Sequence, residues 1–160
     1  MYYLGQRSVN NMDGVSPYLQ MTAIRAISIS PVDFTILETG GKRTASMQYN
    51  IFKEGNSKCD GYKKLSYHQS GNALDKVPFI NGKPTWSNKK AFIDIYYAWI
   101  RAENELRALN MIPDNIFFHH GLFWNWKDID KDGIIELTDK LGWDAAHTEI
   151  RSFPQITNLK

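Results

Sequence analysis

Apolar residues of this chain recur at helical spacing in three stretches. In the first, Leu19, Ala23 and Ile27 lie four residues apart, which places them on one face of a helix. The pair Ser-Pro at 16–17 is a typical helix start, with serine as the N-cap and proline in the first turn. The pattern predicts an amphipathic helix over about residues 17–29.

Two more helices follow from the same pattern. Thr44 is a suitable N-cap for a helix from Ala45 to about Glu54, which Gly55 closes. The longest helix is predicted from Ser87 or Asn88 to about Leu109. Its apolar and aromatic face, which we interpret as core, comprises Phe92, Ile95, Tyr96, Trp99, Ile100, Leu106 and Leu109.

Runs of β-forming residues between and after these helices predict four strands. They cover residues 33–39, 73–79, 115–118 and 142–150, and Asn81-Gly82 predicts a tight hairpin after the second. The polar, Asn- and Gly-containing residues 1–15 predict an extended lead-in. The tail with Pro154 predicts an extended cover or a frayed end. The order of elements predicts an α+β fold: a small, mostly antiparallel sheet with helices packed on one side.

Composition narrows the possible classes of protein. With 160 residues and 42% hydrophobic residues, we expect one folded domain over 1–160 and no separate second domain. The net charge of +2 suits an anionic polymer as partner. The sequence shows no Lys/Arg cluster interleaved with aromatic residues, which argues against nucleic acid as that polymer. Cys59 is the only cysteine, so it forms no intramolecular disulfide; we interpret it as an incidental thiol rather than a nucleophile. We find neither a signal peptide nor a membrane span, and we expect a monomer.

The candidate chemistry lies in two separate segments. His68 and Asp75 flank a break in periodicity at Gly71, so a turn leading into a strand can bring them together. Asp144 and His147 lie far downstream. Two histidines and one carboxylate are a typical ligand set for a catalytic zinc ion, with Asp144 as the carboxylate that carries protons. The spacing alone is weak, and unrelated surface residues are the alternative.

A second motif resembles a calcium-binding loop of the EF-hand type. Residues 128–139 match its pattern at positions 1, 3, 5, 6, 8 and 9, and position 12 is Asp instead of the usual Glu. The predicted ligand positions are Asp128, Asp130, Asp132, Ile134, Glu136 and Asp139. A solvated acidic turn is the alternative.

Two motifs carry a family resemblance. They are Ser66-x-His68-x-x-Gly71-x-Ala73-x-Asp75 and Gly142-Trp143-Asp144-x-x-His147-x-Glu149. Three further segments carry the same resemblance, namely residues 30–36, 42–48 and 78–86. Together they resemble the zinc peptidases that include the D,D-dipeptidases and D,D-carboxypeptidases of vancomycin resistance. They are most similar to phage endolysins that cleave the L-alanyl-D-glutamate bond of peptidoglycan.

The resemblance implies a fold of the Hedgehog/D,D-peptidase type and a role for each matching residue. It implies that His68, Asp75 and His147 bind Zn²⁺ and that Asp144 is the catalytic acid and base. It further implies that Arg43 stabilises charge on the substrate. Ser66 and Glu149 are expected to support the ligands, with a surface position for Glu149 as the alternative.

Two features depart from the family pattern, and two adjacent histidines need a separate interpretation. Lys76 replaces an apolar residue and is expected to point away from the metal. The segment 121–124 lacks the acidic residue that the endolysins usually have just before its tryptophan. His119 and His120 are neighbours on a predicted strand, so their side chains face opposite ways, and we do not interpret them as ligands.

The sequence thus predicts an antimicrobial, zinc-dependent phage endolysin that hydrolyses the L-alanyl-D-glutamate bond of peptidoglycan stem peptides. We expect synthesis in the host cytoplasm and release to the cell wall at lysis. One alternative is a D,D-carboxypeptidase or dipeptidase acting on wall peptides. Another is a non-catalytic, calcium-dependent wall-binding module, against which the complete set of His68, Asp75, Asp144 and His147 argues.

Overall fold

Four α-helices and six short strands make up the described part of this computed structural model, residues 1–127, 132–142 and 144–152. The helices are α1 Gln6–Asn11, α2 Pro17–Ile29, α3 Ala45–Lys53 and α4 Lys89–Ala108. The strands are β1 Phe34–Thr35, β2 Ala73–Asp75, β3 Val77–Ile80, β4 Lys83–Pro84, β5 Ile116–His120 and β6 His147–Ser152. Short 3₁₀ helices cover Glu38–Gly40, Tyr67–Ser70 and Gly121–Phe123.

The predicted helices are confirmed as α2, α3 and α4. The N-caps act as expected, because Thr44 accepts a hydrogen bond from the Met47 amide at 3.2 Å and Asn88 one from the Ala91 amide at 3.0 Å. The apolar faces of α2 and α4 pack together around Trp99, which is fully buried. Among the described residues, no helix is both long and apolar enough to cross a membrane.

The N-terminal segment was predicted to be extended, and this prediction was wrong. It contains α1, followed by Met12 and Val15, which are both buried in the main core. The spacing of hydrophobic residues did not reveal α1, because this helix buries a polar residue. Ser8 is buried, and its hydroxyl accepts a hydrogen bond from the Ile36 amide at 3.1 Å. The N-terminal segment thus packs against the chain just after β1.

All strand pairs among the described residues are antiparallel, but they form two small sheets instead of one. Their orders are β1-β3-β4 and β2-β6-β5. The single strand predicted over 73–79 splits at Lys76, because β2 pairs with β6 while β3 pairs with β1. The predicted hairpin at Asn81-Gly82 is confirmed, with positive φ angles of 51° and 77°.

Two predicted strands are shorter than expected. The strand over 33–39 ends at Thr35, and a 3₁₀ helix follows it. The strand over 142–150 begins only at His147, so Asp144 lies in the turn that precedes β6. The tail with Pro154 lies outside the described residues.

Candidate metal centre

His68 is fixed by a local cap and a tight turn. The Ser66 hydroxyl caps the 3₁₀ helix Tyr67–Ser70 by accepting from the His68 amide at 3.4 Å, and Gln69 accepts from the Ser66 amide at 2.9 Å. Gly71 ends this helix with φ at 75°, and a β-carbon there would lie 2.2 Å from the carbonyl oxygen of Gly14. Only glycine fits this turn, and the imidazole of His68 is held almost fully buried as a result.

Asp75 and His147 come together through strand pairing. They are directly opposite each other in the antiparallel pair of β2 and β6. Residues opposite each other in such a pair project to the same face of the sheet. The register therefore places the carboxylate beside the second imidazole, and His68 reaches both from the segment just before β2.

The three side chains converge on one point. Asp75 Oδ1 lies 2.9 Å from His147 Nδ1 and 3.2 Å from His68 Nε2, and those two nitrogens are 3.1 Å apart. One ligand atom from each residue falls within 4.8 Å of the others, a grouping that could hold a metal ion. Neutral imidazole nitrogens and a carboxylate oxygen are a donor set that suits zinc.

The outer ring nitrogens are already engaged. His68 Nδ1 donates to the carbonyl oxygen of Gly41 at 2.8 Å, and His147 Nε2 donates to Glu149 at 3.1 Å. These partners assign the inner nitrogens, His68 Nε2 and His147 Nδ1, to the metal side. Metal-binding histidines usually bond a carbonyl or a carboxylate in this way, so the residues present fit a zinc ion. Glu149 is only 4% exposed, and the alternative of a surface position was wrong.

Arg43 lies behind the carboxylate ligand. Its Nη2 is 2.6 Å from Asp75 Oδ2, its Nη1 donates to Gln48 at 3.1 Å, and its Nε donates to the Thr39 carbonyl at 2.5 Å. All three guanidinium nitrogens thus have protein partners. Here the arginine orients Asp75, and a direct contact with substrate charge stays a prediction.

When no metal is bound, the charged groups of the centre favour an ionised Asp75 and a protonated His147. Burial raises the pKa of Asp75, but His68 and His147 outweigh it and hold that pKa well below its ordinary range. Burial lowers the pKa of His147, yet its hydrogen bonds to Asp75 and Glu149 prevail and raise that pKa to about 9. Burial likewise works against the charge of Glu149, but His147 and Arg151 lower its pKa.

Asp144 lies beside this cluster, in the turn before β6. Its carbonyl oxygen accepts from the His147 amide at 3.1 Å. A β-carbon on Gly121 would meet that carbonyl at 2.3 Å, so the 3₁₀ helix at 121–123 packs tightly against the turn. Burial, and after it the negative charge of Asp75, raise the pKa of Asp144 above its ordinary value.

A groove of about 540 Å³ opens next to Asp144. Its apolar surface is formed by Trp86, Phe92, Leu141, Ala145 and Ala146. The groove therefore lies beside the carboxylate that the sequence predicts to carry protons.

The remaining candidates do not belong to the group of three side chains that could hold a metal ion. His120 is buried and its Nδ1 is 2.9 Å from the Thr148 hydroxyl, while His119 lies opposite Glu149 on β6. The Lys76 side chain, predicted to point away from the metal, is buried with its ammonium 4.8 Å from the Trp99 ring centre.

The predicted calcium loop is only partly described. Asp128 and Asp130 lie outside the described residues. Asp132 accepts from the Ile134 amide at 2.7 Å, and the Glu136 carboxylate accepts from the Thr138 hydroxyl at 2.6 Å. The carboxylate of Asp139 is buried and accepts from the Glu136 amide at 3.0 Å and from Trp126 Nε1 at 3.1 Å. Calcium binding by this loop stays a prediction.

Sequence reasoning missed two contacts of the centre. The carbonyl of Gly41 is a backbone group, so no side chain signals its bond to His68. Trp124 lies with its ring centre 5.0 Å from that of His147. Its position in an aromatic segment is the only sequence signal of a role beside the metal centre.

Comparisons with known proteins agree with this geometry. The family described as phage L-alanyl-D-glutamate peptidase matches residues 1–150. The L-alanyl-D-glutamate peptidase of Escherichia phage T5 is 32% identical over 149 residues, which cover 93% of this chain and 98% of that protein. The crystal structure of the L-Ala D-Glu endopeptidase ChiX of Serratia marcescens superposes with a TM-score of 0.64 at 25% identity, covering 91% of this chain and 87% of that one. This chain belongs to the phage L-alanyl-D-glutamate peptidase family.

Proposed function

We propose that this chain is a zinc-dependent endolysin that hydrolyses the L-alanyl-D-glutamate bond of bacterial peptidoglycan. The observation that carries the proposal is the convergence of His68, Asp75 and His147 in a chain of this family. Their outer atoms are held by Gly41, Arg43 and Glu149, so the three inner atoms are oriented towards one point.

In this proposal His68 Nε2, Asp75 Oδ1 and His147 Nδ1 hold the metal. Bound zinc would supply a Lewis acid that polarises the scissile carbonyl and makes water more acidic. Ser66 positions His68 through the cap, and Glu149 fixes the ring orientation of His147. Arg43 neutralises the outer oxygen of Asp75.

Asp144 is the proposed acid and base. As a carboxylate it accepts a proton from the water that attacks the carbonyl carbon of L-alanine. The same proton then passes to the nitrogen of D-glutamate as the C–N bond breaks, which leaves a free carboxylate and a free amine. The raised pKa of Asp144 suits both halves of this transfer, because the group must gain and lose a proton in each turnover.

The proposal extends to the setting of the reaction. The substrates are stem peptides of the host wall, and we propose that the protein is made in the host cytoplasm and reaches the wall at lysis. It acts as a monomer, with neither nucleic acid nor membrane insertion involved. Size-exclusion chromatography with light scattering of the zinc-loaded protein would test the oligomeric state.

Mass analysis of purified peptidoglycan after digestion tests the proposed bond. New carboxyl-terminal L-alanine and new amino-terminal D-glutamate are the expected products. Released D-alanine or D-alanyl-D-alanine without those termini would instead support a D,D-carboxypeptidase or dipeptidase. Unchanged peptidoglycan that nevertheless binds the zinc-loaded protein would support a non-catalytic wall-binding module.

We further propose that Ca²⁺ binds the loop 128–139 and raises activity. The proposal is supported by the sequence match and by the position of the loop, which ends five residues before Asp144. Crowded carboxylates repel one another without a cation, so calcium would order the loop. Calcium should raise the hydrolysis rate of the zinc-loaded protein, and the double variant Asp130→Ala/Asp132→Ala should lose the response. Equal rates with and without calcium, together with no heat of binding in calorimetry, would contradict it.

A further inference from the structure

Three aromatic rings contact one another on the surface of the protein, and none of them lines the groove beside Asp144. Tyr49 and Phe52 belong to α3, and their ring centres are 6.4 Å apart in a stacked arrangement. Tyr62 comes from the following loop and meets Tyr49 edge-on at 5.7 Å. Tyr49 and Phe52 are each 40% exposed and Tyr62 is 62% exposed, so the cluster presents apolar ring surface to solvent. An exposed cluster of this kind often marks a binding surface.

The loop that carries Tyr62 is held rigidly. One carboxylate oxygen of Asp60 accepts the backbone amides of Tyr62, Lys63 and Lys64 at 2.9, 2.8 and 2.9 Å. These amides, that of Lys64 most strongly, lower the pKa of Asp60, so the turn is stable at neutral pH. A surface that is ordered before binding loses little conformational entropy when a ligand arrives.

Lysines flank the rings, together with the acidic residues Glu54 and Asp60. The ammonium group of Lys53 lies 5.6 Å from the ring centre of Tyr49, and Lys63 and Lys64 follow Tyr62 as exposed residues. We call the rings of Tyr49, Phe52 and Tyr62, with Lys53, Lys63 and Lys64, the aromatic–lysine surface. This charge was not apparent as a cluster in the sequence, because the turn brings two separate segments together.

The aromatic–lysine surface shares supports with the metal centre. Gln48, buried on α3, donates to Ser57 at 2.8 Å and to the Cys59 carbonyl at 2.9 Å, while its oxygen accepts from Arg43. Gln69, in the 3₁₀ helix of His68, donates to the carbonyl of Gly61 at 2.8 Å. A polymer bound on this surface would therefore be held on the elements that position the catalytic ligands.

We propose that the aromatic–lysine surface binds intact peptidoglycan outside the catalytic cleft. The proposal rests on the proposed function, in that the partner is the polymer that supplies the substrate. Sugar rings of the glycan strand offer apolar faces that stack on Tyr49 and Tyr62, and the carboxylates of stem peptides pair with the lysines. Nucleic acid is the less suitable partner, because Glu54 and Asp60 lie among the lysines and the chain carries a net charge of only +2.

Co-sedimentation with purified sacculi tests this proposal. The full chain is loaded with zinc and carries Asp144→Asn, so that the wall is not digested. Tyr49→Ser/Tyr62→Ser in this background should weaken binding about tenfold, since two stacking rings are lost. The matched control Tyr2→Ser/Tyr3→Ser removes two exposed tyrosines elsewhere and should bind normally. Lys63→Gln/Lys64→Gln should reduce the salt dependence of binding.

A second readout separates binding from catalysis. With Asp144 intact, Tyr49→Ser/Tyr62→Ser should cleave a short soluble peptide containing the L-alanyl-D-glutamate bond at the wild-type rate, while the KM for sacculi rises. Equal sedimentation of the double variant and the control would overturn the proposal. The proposal would also be overturned if the wild-type protein bound DNA or anionic lipid vesicles more tightly than sacculi and the same substitutions abolished that binding. A wild-type protein that binds sacculi through these rings but cleaves neither substrate would contradict the proposed function and still support this surface.

Discussion

Arg43 and Asp75 form a largely buried ion pair, with 2.6 Å between Nη2 and Oδ2. The other carboxylate oxygen, Oδ1, faces the two imidazoles. The arginine therefore occupies one side of the carboxylate and leaves the opposite side for a metal ion. This arrangement makes Arg43 a positioning residue of the metal centre in the protein without substrate.

Replacing Arg43 should therefore weaken zinc binding. Arg43→Met should lower zinc affinity about 10- to 100-fold, as is typical when a residue that supports a ligand is lost. Competition with a chromophoric chelator measures this, and Arg7→Met, at an exposed position on α1, is the control. Unchanged affinity combined with a lower kcat would instead indicate that Arg43 acts on the substrate, as the family resemblance implies.

Asp144→Asn should separate zinc binding from turnover. An amide has nearly the same shape as the carboxylate but cannot accept the proton, so kcat should fall about 10²- to 10⁴-fold while zinc stays bound. The measurement is single-turnover hydrolysis of a soluble stem peptide, with zinc content determined in parallel. Asp13→Asn, an exposed carboxylate in another loop, should behave as wild type. Near wild-type turnover of Asp144→Asn would contradict the assignment of Asp144 as the acid and base.

Zinc affinity should depend steeply on pH. Hydrogen bonds to Asp75 and Glu149 raise the pKa of His147 to about 9, so a proton must leave Nδ1 before a metal can bind there at neutral pH. The apparent affinity should therefore rise by up to about tenfold per pH unit until pH approaches this pKa. Calorimetry in buffers of different ionisation enthalpy should detect the released proton. Binding without proton release at pH 7 would contradict a protonated His147 in the metal-free protein.

The same pKa has a consequence for the metal-free protein. Because the pKa of His147 is raised in the folded state from its ordinary 6.5, the protonated ring contributes stability that is fully present below that value. This contribution is lost as pH rises through about 9. His147→Gln should remove this part of the pH dependence in urea unfolding of the metal-free protein.

Lys76 allows a test of how a buried charge affects the stability of the fold. Its ammonium donates to the Ala146 carbonyl at 2.9 Å and to the Thr148 hydroxyl at 2.5 Å, the residues on either side of His147. Both acceptors keep another partner without it: the Lys76 amide bonds Ala146, and His120 bonds Thr148. Burial lowers the pKa of Lys76 to about 8, a sign that the charge is costly here.

Lys76→Met should consequently change the free energy of unfolding by less than about 1 kcal/mol, because no acceptor is left unpaired and the volume is kept. Lys76→Ala should cost about 2–4 kcal/mol, since it leaves a cavity beneath Trp99. Urea unfolding of the metal-free variants measures both, with Lys83→Met on the exposed strand β4 as control. Equal losses for Met and Ala would show that the charge itself stabilises the fold.

The sequence allowed more of the site to be predicted than of the sheets. The motif around His68 is local, because the cap at Ser66 and the turn at Gly71 fix the imidazole within a few residues. Apolar periodicity likewise predicted α2, α3 and α4. The register that brings His147 opposite Asp75 depends on pairing between strands that are distant in sequence, and periodicity does not encode the partner.

The missed features have physical reasons of the same kind. The helix α1 presents a polar residue, Ser8, to the core, so its pattern resembles that of a surface loop. The break at Lys76 is invisible because both flanking segments are β-forming, and only their different partners separate them. The exposed rings of Tyr49 and Tyr62 come from separate segments of the chain, so their contact is a tertiary effect.

The central claim is that His68, Asp75 and His147 together hold the zinc on which hydrolysis depends. Its most direct test is the zinc content, measured by plasma mass spectrometry, of wild type and of His68→Ala and His147→Ala, each paired with hydrolysis of the soluble stem peptide. We expect one zinc per wild-type chain, loss of zinc and of hydrolysis in both variants, and circular dichroism that shows both remain folded. Full hydrolysis by either folded variant with no bound metal would contradict the account.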